Sequence, residues 1–171
     1  GINPENFCFR LEPGETFETP QVIMSYSGSG FTQLSHNFHR IISDHICRGK
    51  YKYARRPILI NNWEATYFNF DEEKILKIAS QAADLGIEML VLDDGWFGKR
   101  NDDNSGLGDW YVNLEKLPAN LSSLSEKVNA MGMKFGLWFE PEMISEDSDL
   151  YRAHPDWALQ IPGKNPVRSR N

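Results

Sequence analysis

A parallel α/β fold, the first part of a (β/α)8 TIM barrel, is predicted for residues 55–171. Three observations predict it. Short apolar strands alternate with helix-length amphipathic segments, each strand runs into a polar cluster, and no glycine-rich phosphate loop follows the first strand. The last point weighs against a dinucleotide or nucleotide fold. A barrel fits because it places its site at the C-terminal ends of the strands, where these polar clusters fall.

Taken in order, Ile58-Leu59-Ile60 is a short buried strand ending in Asn61-Asn62-Trp63. Asp71 is placed to cap a helix, with Glu72 and Glu73 favoured by the dipole of its first turn. Phe70 and Ile75 occupy the staple positions around that cap. Ile75, Ile78, Ala79, Ala82 and Ala83 form the buried stripe, and Gly86 suits the stop. Met89-Leu90-Val91-Leu92 lacks polar alternation, as a strand covered on both faces should. It leads into Asp93-Asp94-Gly95-Trp96. A long polar loop is expected over about 97–119. Leu121, Leu124, Val128 and Met131 then mark a helix closed by Gly132, and Phe135–Phe139 is the third strand, leading into Glu140-Pro141-Glu142.

Residues 1–54 read differently. Phe7–Leu11 and Gln21–Tyr26 are β-like runs, separated by a Pro13-Gly14 turn and ended by Ser27-Gly28-Ser29-Gly30. Phe31, Leu34, Phe38, Ile41, Ile42 and Ile46 then recur near helical spacing.

Composition narrows the function. The 171 residues carry 18 basic and 24 acidic side chains, a formal net charge of −6, without the basic stripe of a nucleic-acid binder. No apolar run approaches the roughly 18 residues that cross a bilayer. Cys8 and Cys47 fit neither a disulfide framework nor a zinc pattern, and read as free structural thiols. Asn101–Gly106 has the spacing of a calcium loop, but Val112 stands where a bidentate Glu is required. His36, His39 and His45 lack metal-ligand spacing, and the Asn120-Leu121-Ser122 sequon decides nothing by itself. Gly1 follows no leader pattern and the last residues close no element, so the sequence reads as a segment of a longer chain.

The three strand ends carry the chemistry. If they converge on one mouth, tryptophan rings and carboxylates line it together. Sugars need that mixture: an indole stacks on the C–H face of the ring, and carboxylates accept hydroxyl hydrogen bonds about twice as strong as neutral ones. Each piece has a plainer counterpart, as a packing tryptophan, a solvated aspartate pair or a salt-bridged glutamate. Repetition at three strand ends favours a polar-ligand pocket. On spacing alone, Asp94 and Glu142 are candidates for a catalytic carboxylate pair.

Longer motifs carry a family resemblance. Asn61–Phe68 (NNWEATYF), Leu92–Gly98 (LDDGWFG), Leu107–Trp110 (LGDW), Phe135–Met143 (FGLWFEPEM), His154–Trp157 (HPDW) and Arg168–Asn171 (RSRN) resemble the α-galactosidases of glycoside hydrolase family 36. Leu11–Glu15 and Thr19-Pro20 resemble the end of that family's N-terminal β-sandwich domain. The resemblance therefore implies two domains: residues 1–54 as the end of the sandwich with a linker helix, and 55–171 as the first, incomplete part of the catalytic barrel. It implies a retaining hydrolase of terminal α-galactosyl residues, as in melibiose or raffinose-type sugars, working without cofactor or metal. By position, Asp93 and Asp94 match carboxylates that hold galactose hydroxyls, chiefly O4 and O6. Trp63 and Trp138 match pocket aromatics, and Arg170 matches a sugar-binding arginine. Trp96 and Asp109 have supporting roles.

The family's nucleophile follows a Lys-Trp-Asp motif on a later strand, with the acid/base later still. Neither occurs before Asn171. No residue of this chain is therefore assigned as catalytic, Asp94 and Glu142 become ligands or supports, and the chain alone is expected to be inactive. The resemblance also implies an α-galactoside oligosaccharide as partner, a homo-oligomer, a cytoplasmic location, and no nucleic-acid or membrane partner. The alternatives are a raffinose-synthase-type galactosyl transferase, an α-N-acetylgalactosaminidase, or a non-catalytic sugar-binding module.

Overall fold

A computed structural model describes residues 2 and 7–164, and the chain divides into two compact units, Gly1–Arg55 and Arg56–Asn171. In the first, Pro13 and Gly14 make the expected turn. The Glu15 N–H donates to the Glu12 carbonyl at 3.0 Å, and Gly14 takes φ +86°, the conformation that the third position of a type II turn requires. Phe7 and Phe9 close on Phe17, with centroids 5.8 and 4.5 Å away.

Neither β-like run forms a strand among the described residues. A strand exists only as a ladder, and among these residues no backbone partner is hydrogen-bonded along Phe7–Leu11 or Gln21–Tyr26. The Asn37 amide ties the second run locally, donating to the Ser25 hydroxyl and the Tyr26 carbonyl. The helical spacing does form a helix, α1 (Gly30–Ile41), prolonged by one π-type turn over Ile42–Ile46. Cys8 and Cys47 are free thiols.

The second unit is built on three parallel strands, β1 (Leu59–Asn61), β2 (Met89–Leu92) and β3 (Lys134–Leu137), in the order β1-β2-β3. Leu59 pairs with Met89 and Met89 with Lys134, which sets the three C-terminal ends side by side. Between them run α2 (Trp63–Thr66), α3 (Glu72–Asp84) and α4 (Asn120–Ala130). A five-residue α5 (Asp149–Ala153) and a 3₁₀ turn over Pro155–Trp157 follow β3.

Helix α3 obeys its sequence signals. The Asp71 carboxylate accepts the Lys74 N–H at 2.9 Å, and Ile75, Ala79 and Ala82 are buried. Leu124 and Val128 bury the matching face of α4, and Leu90 and Leu92 are buried on β2. At Gly136 on β3 a Cβ would stand 2.6 Å from the Cε at the flexible end of Met89, which would have to swing aside. The third strand stops at Leu137, two residues short of the expected Phe139, within the usual fraying of element ends.

Residues 97–119 are not the solvated loop their polarity suggests. Phe97, Leu107 and Leu117 are buried in the core, Gly98 N–H donates to the Tyr111 carbonyl at 2.8 Å, and Asn113 N–H to the Trp96 carbonyl at 2.9 Å. Average polarity conceals a few apolar anchors spaced to reach the core. Among the described residues, no helix is long and apolar enough to cross a membrane.

Candidate functional site

The three strand ends meet through side chains and backbone together. Asn61 closes β1, and its side-chain amide donates to Asp93 while its side-chain Oδ1 accepts the Trp63 N–H at 2.7 Å. Asn62, fully buried, accepts the Asp93 N–H at 2.8 Å and donates to the Thr66 hydroxyl at 2.9 Å. Those bonds join the end of β1 to the end of β2. On the other side, Trp138 N–H donates to the Leu92 carbonyl at 2.9 Å, and the Trp96 indole N–H donates to the Trp138 carbonyl at 3.0 Å.

Within this frame Trp63 opens α2, half-buried, with its ring edge-on to Tyr67 and Phe68 at 5.2 and 5.0 Å. Trp138 is half-buried one residue beyond β3, stacked with Phe97 at 6.5 Å. Asp93 is half-buried, and its carboxylate also accepts the Asp94 N–H at 2.7 Å. Trp63, Asp93, Asp94 and Trp138 therefore all lie at one edge of the sheet. Arg170 lies outside the described residues.

Asp94 sits in a different environment from its neighbour. It is 4% exposed and held by Arg100, itself 1% exposed. The guanidinium Nε donates to Asp94 Oδ1 at 3.0 Å and to Oδ2 at 3.2 Å, and Nη2 donates to Oδ2 at 2.8 Å. Arg100 Nη1 donates to the Ser105 carbonyl at 2.9 Å, and the Phe68 ring lies 5.5 Å from the guanidinium. Lys116 donates to the Gly95 and Arg100 carbonyls at 2.9 and 3.2 Å. Burial pushes the Lys116 ammonium below its usual range, and the charge of Asp94 opposes that shift. Gly95 takes φ +93° where this knot crosses β2's exit; a Cβ there would meet Phe68 at 2.9 Å.

Sequence reasoning missed Arg100, Lys116 and the burial of Asn62. Nothing local marks an arginine followed by Asn101-Asp102-Asp103-Asn104 as buried, since its partner carboxylate lies in the preceding motif. The acidic loop is engaged internally: Asp102 accepts the Asn104 N–H, and Asp103 lies 3.5 Å from Arg100. Asp109, expected to support the site, accepts the Asp149 and Leu150 N–H groups at 2.9 and 3.0 Å and so caps α5. Trp96 is buried beneath the strand ends. Glu142 is exposed in the turn after β3, away from the Arg100 pair in environment as well as in sequence.

Comparison with known proteins adds to this geometry. The Melibiase family profile matches residues 16–171. The chain belongs to the melibiase family. A bifunctional α-galactosidase/sucrose kinase of Mediterraneibacter gnavus is 60% identical over 171 residues, covering 100% of this chain and 18% of that relative. The α-galactosidase AgaA of Geobacillus stearothermophilus is 54% identical, with 100% and 24% covered. A crystal structure of AgaA, described as a family 36 enzyme, superposes with a TM-score of 0.88 over 100% of this chain and 24% of that one. An AgaA variant crystallised with raffinose gives 0.76 at 55% identity, over 80% and 19%. This melibiase-family chain thus spans about a fifth of the length of the relatives it matches.

Proposed function

We propose that this chain supplies the first half of the galactose pocket of an α-galactosidase. The intact protein hydrolyses terminal α-D-galactosyl residues of melibiose- and raffinose-type sugars by retaining double displacement. One observation carries the reading: two aromatic rings and two carboxylates at the joined ends of three parallel strands, in a melibiase-family chain. In this reading Asp93 and Asp94 accept galactose hydroxyls at O4 and O6, Trp63 and Trp138 flank the sugar, and Arg170 contributes from beyond the described residues. The sheet is the opening of a (β/α)8 barrel, and residues 1–54 belong to the end of a β-sandwich domain. A cytoplasmic homo-oligomer completes the proposal.

The nucleophile and the acid/base come from sequence that follows the matched motifs in the family. Retaining glycosidases set those two carboxylates about 5–5.5 Å apart, and the pair supplies the chemistry without a metal. The test is turnover of p-nitrophenyl α-D-galactoside by the intact gene product, in EDTA and without it. Turnover that survives EDTA supports the reading, and an intact product without turnover overturns it. The isolated 171-residue chain is expected to release no p-nitrophenol above buffer.

A further inference from the structure

We infer that Arg100 is a positioning residue that sets the direction in which Asp94 accepts a sugar hydroxyl; this rests on the reading of Asp94 as a galactose ligand. A carboxylate has about four acceptor sites. The Arg100 fork occupies sites on both oxygens of Asp94, so the plane of the guanidinium fixes the plane of the carboxylate and where its remaining lone pairs point. Arg100 in turn cannot follow a moving partner. Its Nη1 is bound to Ser105, its face lies against Phe68, Asp103 sits 3.5 Å from Nη2, and Lys116 holds its carbonyl.

Mere tethering of the 97–106 segment does not call for such a pair. Buried ion pairs are often no more stabilising than apolar residues of the same shape, and the segment is already anchored in the core by Phe97 at its start and Leu107 just after it. What an apolar tether cannot give is a charged acceptor at a fixed angle. Asp93 shows the contrast, its carboxylate being oriented by neutral donors, the Asn61 carboxamide and the Asp94 backbone N–H. Lysine in place of Arg100 would keep the charge and lose the planar fork.

The experiment uses the intact gene product. Values of kcat and KM for p-nitrophenyl α-D-galactoside, competitive inhibition by galactose, and the thermal midpoint are measured for wild type, Arg100→Lys, Asp94→Asn and the double variant. Arg100→Lys is expected to fold and to lose at least tenfold in kcat/KM, with galactose inhibition weakened by a similar factor. The double variant is expected to be no worse than the weaker single variant. A folded Arg100→Lys within twofold of wild type overturns the inference, as do losses that multiply in the double variant. Wild type without any hydrolysis removes the proposed function and this inference with it; hydrolysis with an indifferent Arg100→Lys removes the inference alone. A crystal structure of the wild-type protein with galactose needs no variant to fold. One Asp94 oxygen accepting a sugar hydroxyl while Arg100 stays forked on the carboxylate supports the role. A sugar contact made with the Arg100 pair broken, or none to Asp94, overturns it.

Discussion

Residues 7–55 and 56–164 each contain a helix built on apolar residues at helical spacing, yet only one set of apolar side chains is fully buried. In α1 no residue is buried, and Phe31 is 86% exposed. In α3, of nearly equal length, Ile75 and Ala79 are fully buried. The difference is the sheet. Helix α3 belongs to a unit with parallel strands to lie against, whereas no strand forms among the described residues of the first unit. Helical spacing creates a face; a core needs a second layer to receive it.

The comparison can be broken or sharpened by substitution, read as urea unfolding midpoints and slopes. The largest effect is expected from Asp94→Ala, which strands the buried Arg100 without its partner and costs about 3–5 kcal/mol. Loss of the exposed Arg152 pair with Asp147 and Asp149 by Arg152→Ala should leave the midpoint unmoved. Next, Leu124→Ala opens a cavity in the second unit, at about 2–5 kcal/mol. Phe31→Ala should cost under about 0.5 kcal/mol, as exposed substitutions do. A large Phe31 effect would mean that α1 has a packed face after all. Removing the α3 cap by Asp71→Ala is expected to cost about 1 kcal/mol.

The smallest expected effect is electrostatic. The Tyr111 hydroxyl donates to Asp149 at 2.7 Å, and that bond, with some burial, pushes its pKa from 10.0 up to about 12. A raised folded-state pKa contributes stability that is fully present below pH 10 and is lost as pH climbs through about 12. Because Tyr111 is half exposed, the contribution is small, and tyrosinate absorbance reads it more directly than unfolding. Asp149→Asn should bring the titration back toward 10; an unchanged titration would show that the bond is not formed.

Legibility in the sequence followed the range of the interactions. Helix α3 could be read because its cap, stripe and stop are local: Asp71 bonds Lys74, three residues away, and Gly86 turns at φ +82°. Strand β2 could be read from its unbroken apolar run, although only Leu90 and Leu92 are buried while Met89 and Val91 are half-buried. The placing of Trp63, Asp93, Asp94 and Trp138 at strand ends was legible because the motifs that contain them follow the apolar runs. Arg100 could not be read, since its burial depends on Phe68 arriving from a distant stretch and on Asp94 and Ser105, at non-periodic spacings of six and five residues, closing around it. The two N-terminal runs failed in the opposite way. Their β-prone composition is local, but strand formation is not, and no backbone partner joins them among the described residues.

The strand register also dictates an order of assembly. Leu59 must find Met89 thirty residues on, while Met89 must find Lys134 after forty-five. Closing the longer span costs about 0.4 kcal/mol more in chain entropy on the logarithmic scaling of loop closure. The shorter span is also mostly helical, through α2 and the well-capped α3, which stiffens it toward closure. The longer one must first thread residues 97–119 through the Arg100 knot. The β1–α3–β2 unit should therefore be the early-forming part of this unit, with β3 added afterwards. Substitutions at Ile75 and Ala79 should then slow refolding in proportion to their cost, while Val128 variants mainly hasten unfolding. Equal kinetic signatures on α3 and α4 would show that the two crossings close together.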